Sequence, residues 1–318
     1  MSLEARSLRK TYGSVVALDD FSFTASPGEV VGLLGPNGAG KTTAIRVMTT
    51  ILPLTSGGFA VAGVPHTRPV EIRRRVGVLP ESAGYPEQQT GAEFLTYHAR
   101  LFGHSRASAR ATAARLLAQV GLEERQSSLI ATFSRGMRQR LGIARALVND
   151  PEVVFFDEPT LGLDPAGQRQ VLQLVEGIAH ERGATVVLST HFLAEVEDVC
   201  TRVVILNRGR VIAEGTVADV TRRAAAPRRG RFRVPAELRD VALQVLAGVP
   251  GIDEAQPLDG RPDWVIASFG QAGQAGTAAD VSGAVRALAE AGVPLLAFEL
   301  EGARLSDAFL AMTSEAGP

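Results

Sequence analysis

The feature that most constrains this chain is a glycine-rich loop that fits the pattern G-x-x-x-x-G-K-[ST]. The loop and the residue after it are Gly35, Pro36, Asn37, Gly38, Ala39, Gly40, Lys41, Thr42 and Thr43. The apolar run 29–34 before it predicts a buried strand, and residues 42–48 after it predict a helix. A strand, a glycine turn and a helix start place backbone N–H groups and the helix dipole around one anion. We therefore predict a nucleotide phosphate site, with Lys41 reaching the β- and γ-phosphates and the Thr42 hydroxyl binding Mg²⁺. The alternative, a glycine-rich turn without a ligand, is disfavoured because strand, helix and Lys-Thr pair occur together.

The composition limits the classes of protein to which the chain can belong. Its 318 residues, 45% of them hydrophobic, suffice for one large domain plus a smaller one. A net charge of −1 provides no overall field for nucleic acid or an anionic membrane, so no nucleic-acid partner is expected. Cys200 is the sole cysteine, which excludes a disulfide framework and a cysteine-cluster metal site. Because no apolar run reaches membrane-spanning length and no signal-peptide core is present, we expect a soluble cytoplasmic protein. A role at the membrane would then require a partner.

Alternating strands and helices predict an α/β fold with a parallel sheet, whose ligands bind at the carboxyl ends of the strands. Residues 153–156 form an unbroken apolar run, as expected for a strand buried on both sides. Residues 165–181 predict a helix, and residues 185–189 predict the next buried strand. From about 84 to 147 apolar positions recur at helical spacing, which predicts a helical insertion. Its first apolar stripe comprises Phe94, Leu95, Leu101 and Phe102.

The composition changes near residue 220. Residues 1–220 are predicted to form the nucleotide-binding domain, and the basic, breaker-rich stretch 221–230 is predicted to be a linker. Residues 231–318 predict a small α+β domain without a catalytic constellation, with a flexible Gly/Ala/Gln-rich loop at 270–279.

Several polar residues follow predicted buried strands. Asp157 can hold Mg²⁺, and Glu158 can polarise the attacking water as a general base, although two such carboxylates can also be only a turn. His191 can hydrogen-bond the γ-phosphate and the water. Asp164 can cap the next helix, a role compatible with a subunit contact. Tyr12 can stack on an adenine ring or simply pack against the sheet, and its position leaves both interpretations open.

The order of these motifs resembles the ATPase subunit of ABC transporters, over roughly residues 3–220. The signature sequence of that family corresponds to Phe133, Ser134, Arg135, Gly136 and Met137. The resemblance implies a P-loop ATPase domain with an antiparallel β subdomain and the helical insertion. It further implies that Ser134 and Gly136 contact the γ-phosphate of ATP bound to another subunit, so that a homodimer encloses ATP and Mg²⁺. It gives Tyr12 the role of stacking on adenine, Asp164 that of the loop aspartate at the dimer contact, and His191 that of the switch histidine. Read from the residues alone, Ser134 is only a helix N-cap.

Three departures from the family pattern point to one subgroup. Glu81 stands where the family usually has glutamine, and it could still bind the metal ion. Arg135 and Met137 replace a glycine and a glutamine of the signature. These substitutions, and the closing segment 304–313, resemble the ABC-2 type exporters whose permeases lack fused ATPases, including antibiotic-resistance and sodium-efflux pumps.

The resemblance implies an ATPase held on the inner face of the cell membrane by a separate integral-membrane permease. It favours export of a drug, antibiotic or other hydrophobic compound. Export of a lipid, polysaccharide or ion remains open, as do import with a solute-binding protein, a soluble ATPase regulator and a binding-only nucleotide switch. The presence of Glu158 argues against the switch.

Overall fold

The computed structural model describes residues 1–223, 228–270, 281–301 and 305–315. The chain divides into two compact units, residues 1–217 and 218–318. No helix in the described ranges combines the length and apolarity needed to cross a membrane.

The first unit contains ten strands and seven α-helices among its described residues. The strands are β1 Leu3–Tyr12, β2 Val15–Ala25, β3 Val30–Leu34, β4 Ser56–Val61, β5 Val64–Pro65, β6 Val76–Leu79, β7 Val153–Asp157, β8 Thr185–Ser189, β9 Arg202–Asn207 and β10 Arg210–Thr216. The helices are α1 Lys41–Met48, α2 Pro69–Arg75, α3 Gly91–Leu101, α4 Arg106–Gln119, α5 Arg135–Ala146, α6 Pro165–Arg182 and α7 Leu193–Val199.

A six-stranded sheet positions the loops of the phosphate site. Its order is β10-β9-β3-β8-β7-β6, with β10 antiparallel at one edge and the other five strands parallel. Every residue of β3, β7 and β8 is buried, as the apolar runs predicted and as is usual for strands of a parallel sheet covered on both faces. The loops after these three strands therefore meet at one edge.

A second, antiparallel sheet has the order β2-β1-β4-β5. Its apolar face, α1 and one face of the parallel sheet share a single core that includes Phe21, Met48, Phe59 and Phe155. Burying these large side chains fixes the start of α1 against both sheets, since close-packed cores resist displacement.

The helical insertion consists of α3, α4 and α5, each begun by a side-chain cap. Phe94 and Leu95 of the predicted stripe are buried, whereas Leu101 and Phe102 are 63% and 43% exposed. Leu101 is the last residue of α3 and Phe102 follows it, where the chain turns toward α4.

The second unit holds a four-stranded antiparallel sheet with the order β12-β13-β11-β14. Its elements, including the helix that spans the boundary, are α8 Val217–Arg223, β11 Arg228–Arg233, α9 Arg239–Ala247, β12 Ile252–Pro257, β13 Trp264–Phe269, α10 Val281–Glu290, β14 Ala297–Glu301 and α11 Leu305–Glu315. The apolar faces of β13, α9 and α10 share a core of their own. Strand β12 was not predicted from the sequence, because Ile252 is its only buried residue and the strand therefore has no alternating apolar pattern.

The fold class predicted from sequence is confirmed: an α/β domain with an antiparallel subdomain and helical insertion, followed by a small α+β unit. Within the predicted linker 221–230, residues 221–223 end α8 and residues 228–230 begin β11. Residues 224–227 and most of the predicted loop 270–279 lie outside the described residues.

Candidate active site

The phosphate loop joins β3 to α1 and takes up a backbone that glycine permits. Gly38 and Gly40 have φ angles of 80° and 109°, the left-handed region that favours glycine. A Cβ on Gly40 would lie 2.6 Å from the carbonyl oxygen of Ala17 in β2. The pattern of glycines in the sequence thus reflects both the turn and the close approach of β2.

Lys41 begins α1 and crosses the loop. Its Nζ donates hydrogen bonds to the carbonyl oxygens of Gly35 at 2.7 Å and Pro36 at 3.3 Å. Burial lowers the pKa of Lys41, while the nearby carboxylates of Glu158, Asp157 and Glu81 oppose that shift. A cation enclosed by the loop and faced by three carboxylates suits a site for a phosphate group and its metal ion.

Asp157 ends β7 and is 3% exposed. Its Oδ1 accepts hydrogen bonds from Thr42 Oγ1 at 3.2 Å and from Ser189 Oγ at 2.5 Å. Hydroxyl and carboxylate oxygens are ligands that Mg²⁺ prefers, and Mg²⁺ commonly takes few protein ligands beside phosphates and waters. Among the described residues no group of three His, Cys, Asp or Glu side chains could hold a metal by itself. The oxygens of Thr42 and Asp157 beside the phosphate loop therefore fit Mg²⁺ bound together with a nucleotide.

Glu158 and His191 form a pair beside this cluster. His191 Nδ1 lies 2.9 Å from Glu158 Oε2, and the Glu158 side chain is 9% exposed against 41% for His191. Glu158 has φ 51°, an uncommon conformation for a residue other than glycine, and strained backbone of this kind clusters at functional sites. Its N–H donates to Ser189 O at 3.0 Å, which holds the strained residue against the end of β8. The carboxylate of Glu158 is thus held beside His191, just after the end of β7.

Lys41, Thr42, Glu158 and His191 line one cleft of about 520 Å³. Its lining residues are Ala17, Asn37, Gly38, Ala39, Gly40, Lys41, Thr42, Thr43, Glu81, Glu158, Leu161 and His191. The predicted Glu81 lines this cleft together with Glu158 and His191.

Tyr12 lies at the end of β1, outside the lining of this cleft. It is 44% exposed, with Lys10 Nζ 5.1 Å from the centre of its ring. Strand β1 pairs with β2, which carries Ala17 into the cleft. Stacking of Tyr12 on adenine stays a prediction.

The signature residues lie outside the lining of the phosphate cleft of their own chain. Ser134 caps α5 and accepts a hydrogen bond from Met137 N at 3.2 Å, as its position before a helix predicted. The Arg135 guanidinium lies against Gly162, with atoms 2.3–2.6 Å from where a Cβ would stand. Asp164 caps α6 by accepting from Gly167 N at 3.0 Å. None of residues 134–137 lines the cleft described above.

Ser189 is the residue of the site that sequence reasoning missed. Its hydroxyl bonds to Asp157, which pairs with it across β7 and β8. The sequence shows that both residues end apolar runs typical of buried strands, but only the structure shows that the two strands are neighbours in register.

Taken together, fold and cleft define a P-loop nucleotide-binding protein. The model of the family described as ABC transporter matches residues 18–161. The linearmycin resistance ATP-binding protein LnrL of Bacillus subtilis is 36% identical over 222 residues, which cover 70% of this chain and 71% of LnrL. The daunorubicin/doxorubicin resistance ATP-binding protein DrrA of Streptomyces peucetius is 40% identical over 220 residues, which cover 69% of this chain and 66% of DrrA.

Solved structures agree with these relatives. A structure of an ATP-binding subunit of an ABC transporter has a TM-score of 0.64 at 36% identity and covers 70% of this chain and 93% of its own. The dimeric post-hydrolysis state of the ATP-binding cassette MJ0796, bound to ADP and Pi, has a TM-score of 0.62 at 26% identity and covers 67% of this chain and 98% of its own. The chain belongs to the ABC transporter family, as an ATP-binding subunit that hydrolyses ATP. The family predicted from the motifs is confirmed.

Proposed function

We propose that this ATPase powers export of a drug, antibiotic or other hydrophobic compound through a separate ABC-2 type membrane permease. The observation that carries the proposal is the similarity to ATP-binding proteins named for linearmycin and for daunorubicin/doxorubicin resistance. A Nod factor export ATP-binding protein of Paraburkholderia xenovorans is 40% identical over 215 residues. The relatives are thus named either for resistance to a drug or for export, and the compound differs from one relative to the next.

Two chains would enclose ATP between them on the inner face of the membrane. Lys41 and the N–H groups of the phosphate loop would bind the phosphates in one chain, and Ser134 and Gly136 of the second chain would complete the site. The separation of the signature residues from the phosphate cleft of their own chain supports this arrangement, as does the dimeric state of the cassette MJ0796. Differential affinity of ATP for the closed dimer would drive the movement passed to the permease.

Hydrolysis requires a base beside the γ-phosphate. Glu158 would accept the proton of the attacking water, and His191 would orient that carboxylate and contact the γ-phosphate. Thr42 and Asp157 would hold Mg²⁺, with Glu81 near enough to the cleft to contact it or its waters. When bound, Mg²⁺ supplies charge neutralisation on the β- and γ-phosphates.

The ATPase step is tested with the wild type and Glu158→Gln, by steady-state turnover and by gel filtration with and without ATP. We expect turnover to fall by about 100-fold or more, because general-base catalysis contributes that much, while the variant forms a stable ATP-bound dimer. Equal turnover in the two proteins would show that Glu158 is not the general base. If neither protein dimerised with ATP, alone or with the permease, the shared site would be wrong.

The export step is tested in the source organism after deletion of the gene. We expect cells to accumulate more doxorubicin, measured by its fluorescence, and expect the wild-type gene but not Glu158→Gln to restore the lower level. Unchanged accumulation of doxorubicin and of linearmycin-type compounds would refute the proposed compound class. Recovery of the chain in the soluble fraction, with no membrane protein attached, would favour a soluble ATPase regulator instead.

A further inference from the structure

A buried carboxylate lies behind the candidate catalytic pair and has no place in the proposed chemistry so far. Glu195, in the first turn of α7, is 6% exposed. Its Oε2 accepts a hydrogen bond from Thr190 Oγ1 at 3.0 Å, whereas its Oε1 is buried without a hydrogen-bond partner. In the described part of the chain no cation forms an ion pair with it. A buried carboxylate normally accepts several hydrogen bonds or pairs with a cation, so the unpartnered oxygen of Glu195 needs an explanation.

A second unsatisfied group lies beside it. Thr160 is fully buried, and its Oγ1 also lacks a hydrogen bond of ordinary geometry. Thr160 nevertheless lies close enough to lower the pKa of Glu195, against the larger effect of burial, which raises that pKa. A buried hydroxyl and a buried carboxylate oxygen thus both lack a hydrogen-bond partner in neighbouring side chains. Leaving both unsatisfied costs free energy that a formed bond would recover.

The two threonines belong to the two loops that carry the catalytic pair. Thr190 lies between Ser189, which bonds to Asp157, and His191, which bonds to Glu158. Its Oγ1 also accepts a hydrogen bond from Phe192 N at 3.0 Å, which fixes the loop around His191. Thr160 follows Glu158 by two residues. The Glu195 carboxylate is therefore bonded to the loop of His191 and lies beside Thr160 in the loop of Glu158, and it does not line the nucleotide cleft.

We propose that Glu195 is a positioning residue: bonded to Thr190 and closing onto Thr160, it holds His191 against Glu158 during ATP hydrolysis. The inference rests on the proposed roles of Glu158 and His191. Glu195 acts only through the two loops, so its loss should reduce kcat and leave ATP binding by Lys41 and the phosphate loop nearly intact.

The test measures kcat and KM for ATP in the full chain for Glu195→Ala, Glu195→Gln and Thr160→Val. We expect Glu195→Ala to lower kcat by about 30-fold with KM changed less than about threefold, since positioning of a general base acts on the chemical step. Glu195→Gln should recover most of the activity, because its amide can accept from Thr190 and donate to Thr160. Thr160→Val should lower kcat in the same direction.

The deciding measurement combines Glu195→Ala with His191→Ala. If Glu195 works through His191, the double variant should be within about twofold of His191→Ala alone, because residues that act as a unit are not additive. Thr185→Val is the matched control: it removes a buried hydroxyl at the opposite end of β8 and should not change kcat.

Additive losses, a rise in KM equal to the fall in kcat, or the same loss in Thr185→Val would overturn the proposal. Should Glu195→Ala fail to fold, Thr160→Val alone and combined with His191→Ala decides by the same criterion. The wild type and Glu158→Gln are measured alongside. If those two had equal turnover, the proposed function would fail, whereas full activity of Glu195→Ala and Thr160→Val beside an inactive Glu158→Gln would refute only the role of Glu195.

Discussion

His191 Nδ1 lies 2.9 Å from Glu158 Oε2, and the two residues follow the adjacent parallel strands β8 and β7. The contact joins a nearly buried carboxylate to a half-exposed imidazole at the mouth of the cleft. The histidine can therefore orient the carboxylate and still reach a ligand in the cleft.

His191→Ala should reduce ATP turnover by about 100-fold, because a misplaced general base loses most of its contribution. The KM for ATP should change little, since His191 is not part of the phosphate loop. Steady-state kinetics check this, with His180→Ala as the control, since His180 is an exposed histidine near the end of α6. Equal losses in the two variants would show that His191 has no special role.

Lys41→Met should weaken ATP binding by about 10- to 100-fold, as expected for loss of a charge-assisted hydrogen bond to phosphate. The measurement is the Kd of a fluorescent ATP analogue. Arg46→Met removes the same charge from an exposed position on α1 and should leave the Kd unchanged. Equal weakening of ATP binding in both variants would show that Lys41 acts only through the net charge of the protein.

Comparing Gly162→Ala with Gly183→Ala distinguishes the effect of backbone strain from the effect of a clash with the Arg135 side chain. The two glycines have φ angles of 71° and 64°, so each alanine should lower the free energy of unfolding by about 1 kcal/mol. Only at Gly162 would the new methyl group meet the Arg135 guanidinium, whereas nothing lies within 4 Å at Gly183. Urea unfolding should therefore give similar losses of stability, while ATP turnover should fall only in Gly162→Ala. Equal ATP turnover in the two variants would show that displacing the Arg135 side chain does not affect hydrolysis.

His98 should make the stability of the fold depend on pH. Burial, and then the charge of Arg145, lowers the pKa of His98 below its ordinary 6.5. Below pH 6.5 the unfolded chain therefore binds a proton that the folded chain does not, so the free energy of unfolding falls as pH falls toward the lowered pKa. Above that window both states are neutral and His98 contributes no pH dependence.

Urea unfolding at about pH 7.5 and about pH 5.5 measures this effect, whose slope for one proton is at most about 1.4 kcal/mol per pH unit. We expect His98→Gln to lose less stability between the two pH values than the wild type. His180→Gln should behave as the wild type does, and an unchanged dependence in His98→Gln would exclude His98 as the cause.

Local sequence patterns were sufficient to predict the phosphate loop, the buried strands and two helix caps. The glycine spacing at 35–40 and the Lys-Thr pair predicted the phosphate loop, since turn geometry and anion binding both depend on adjacent residues. The apolar runs that became β3, β7 and β8 likewise predicted buried parallel strands, because burial on both faces tolerates no polar residue inside the run. The caps Ser134 and Asp164 followed from their places before helices.

Other features were decided only by the tertiary structure. The order β10-β9-β3-β8-β7-β6 places Ser189 opposite Asp157, although the two residues are far apart in the chain. Packing left Leu101 and Phe102 exposed despite their helical spacing, and it buried Glu195 behind the loop of His191. Periodicity reports which face of an element is apolar, but which residues meet depends on strand register and on where neighbouring elements end. The chemistry of the phosphate loop is thus local, whereas the support of Glu158 by Ser189, His191 and the Glu195 region exists only once the sheet has assembled.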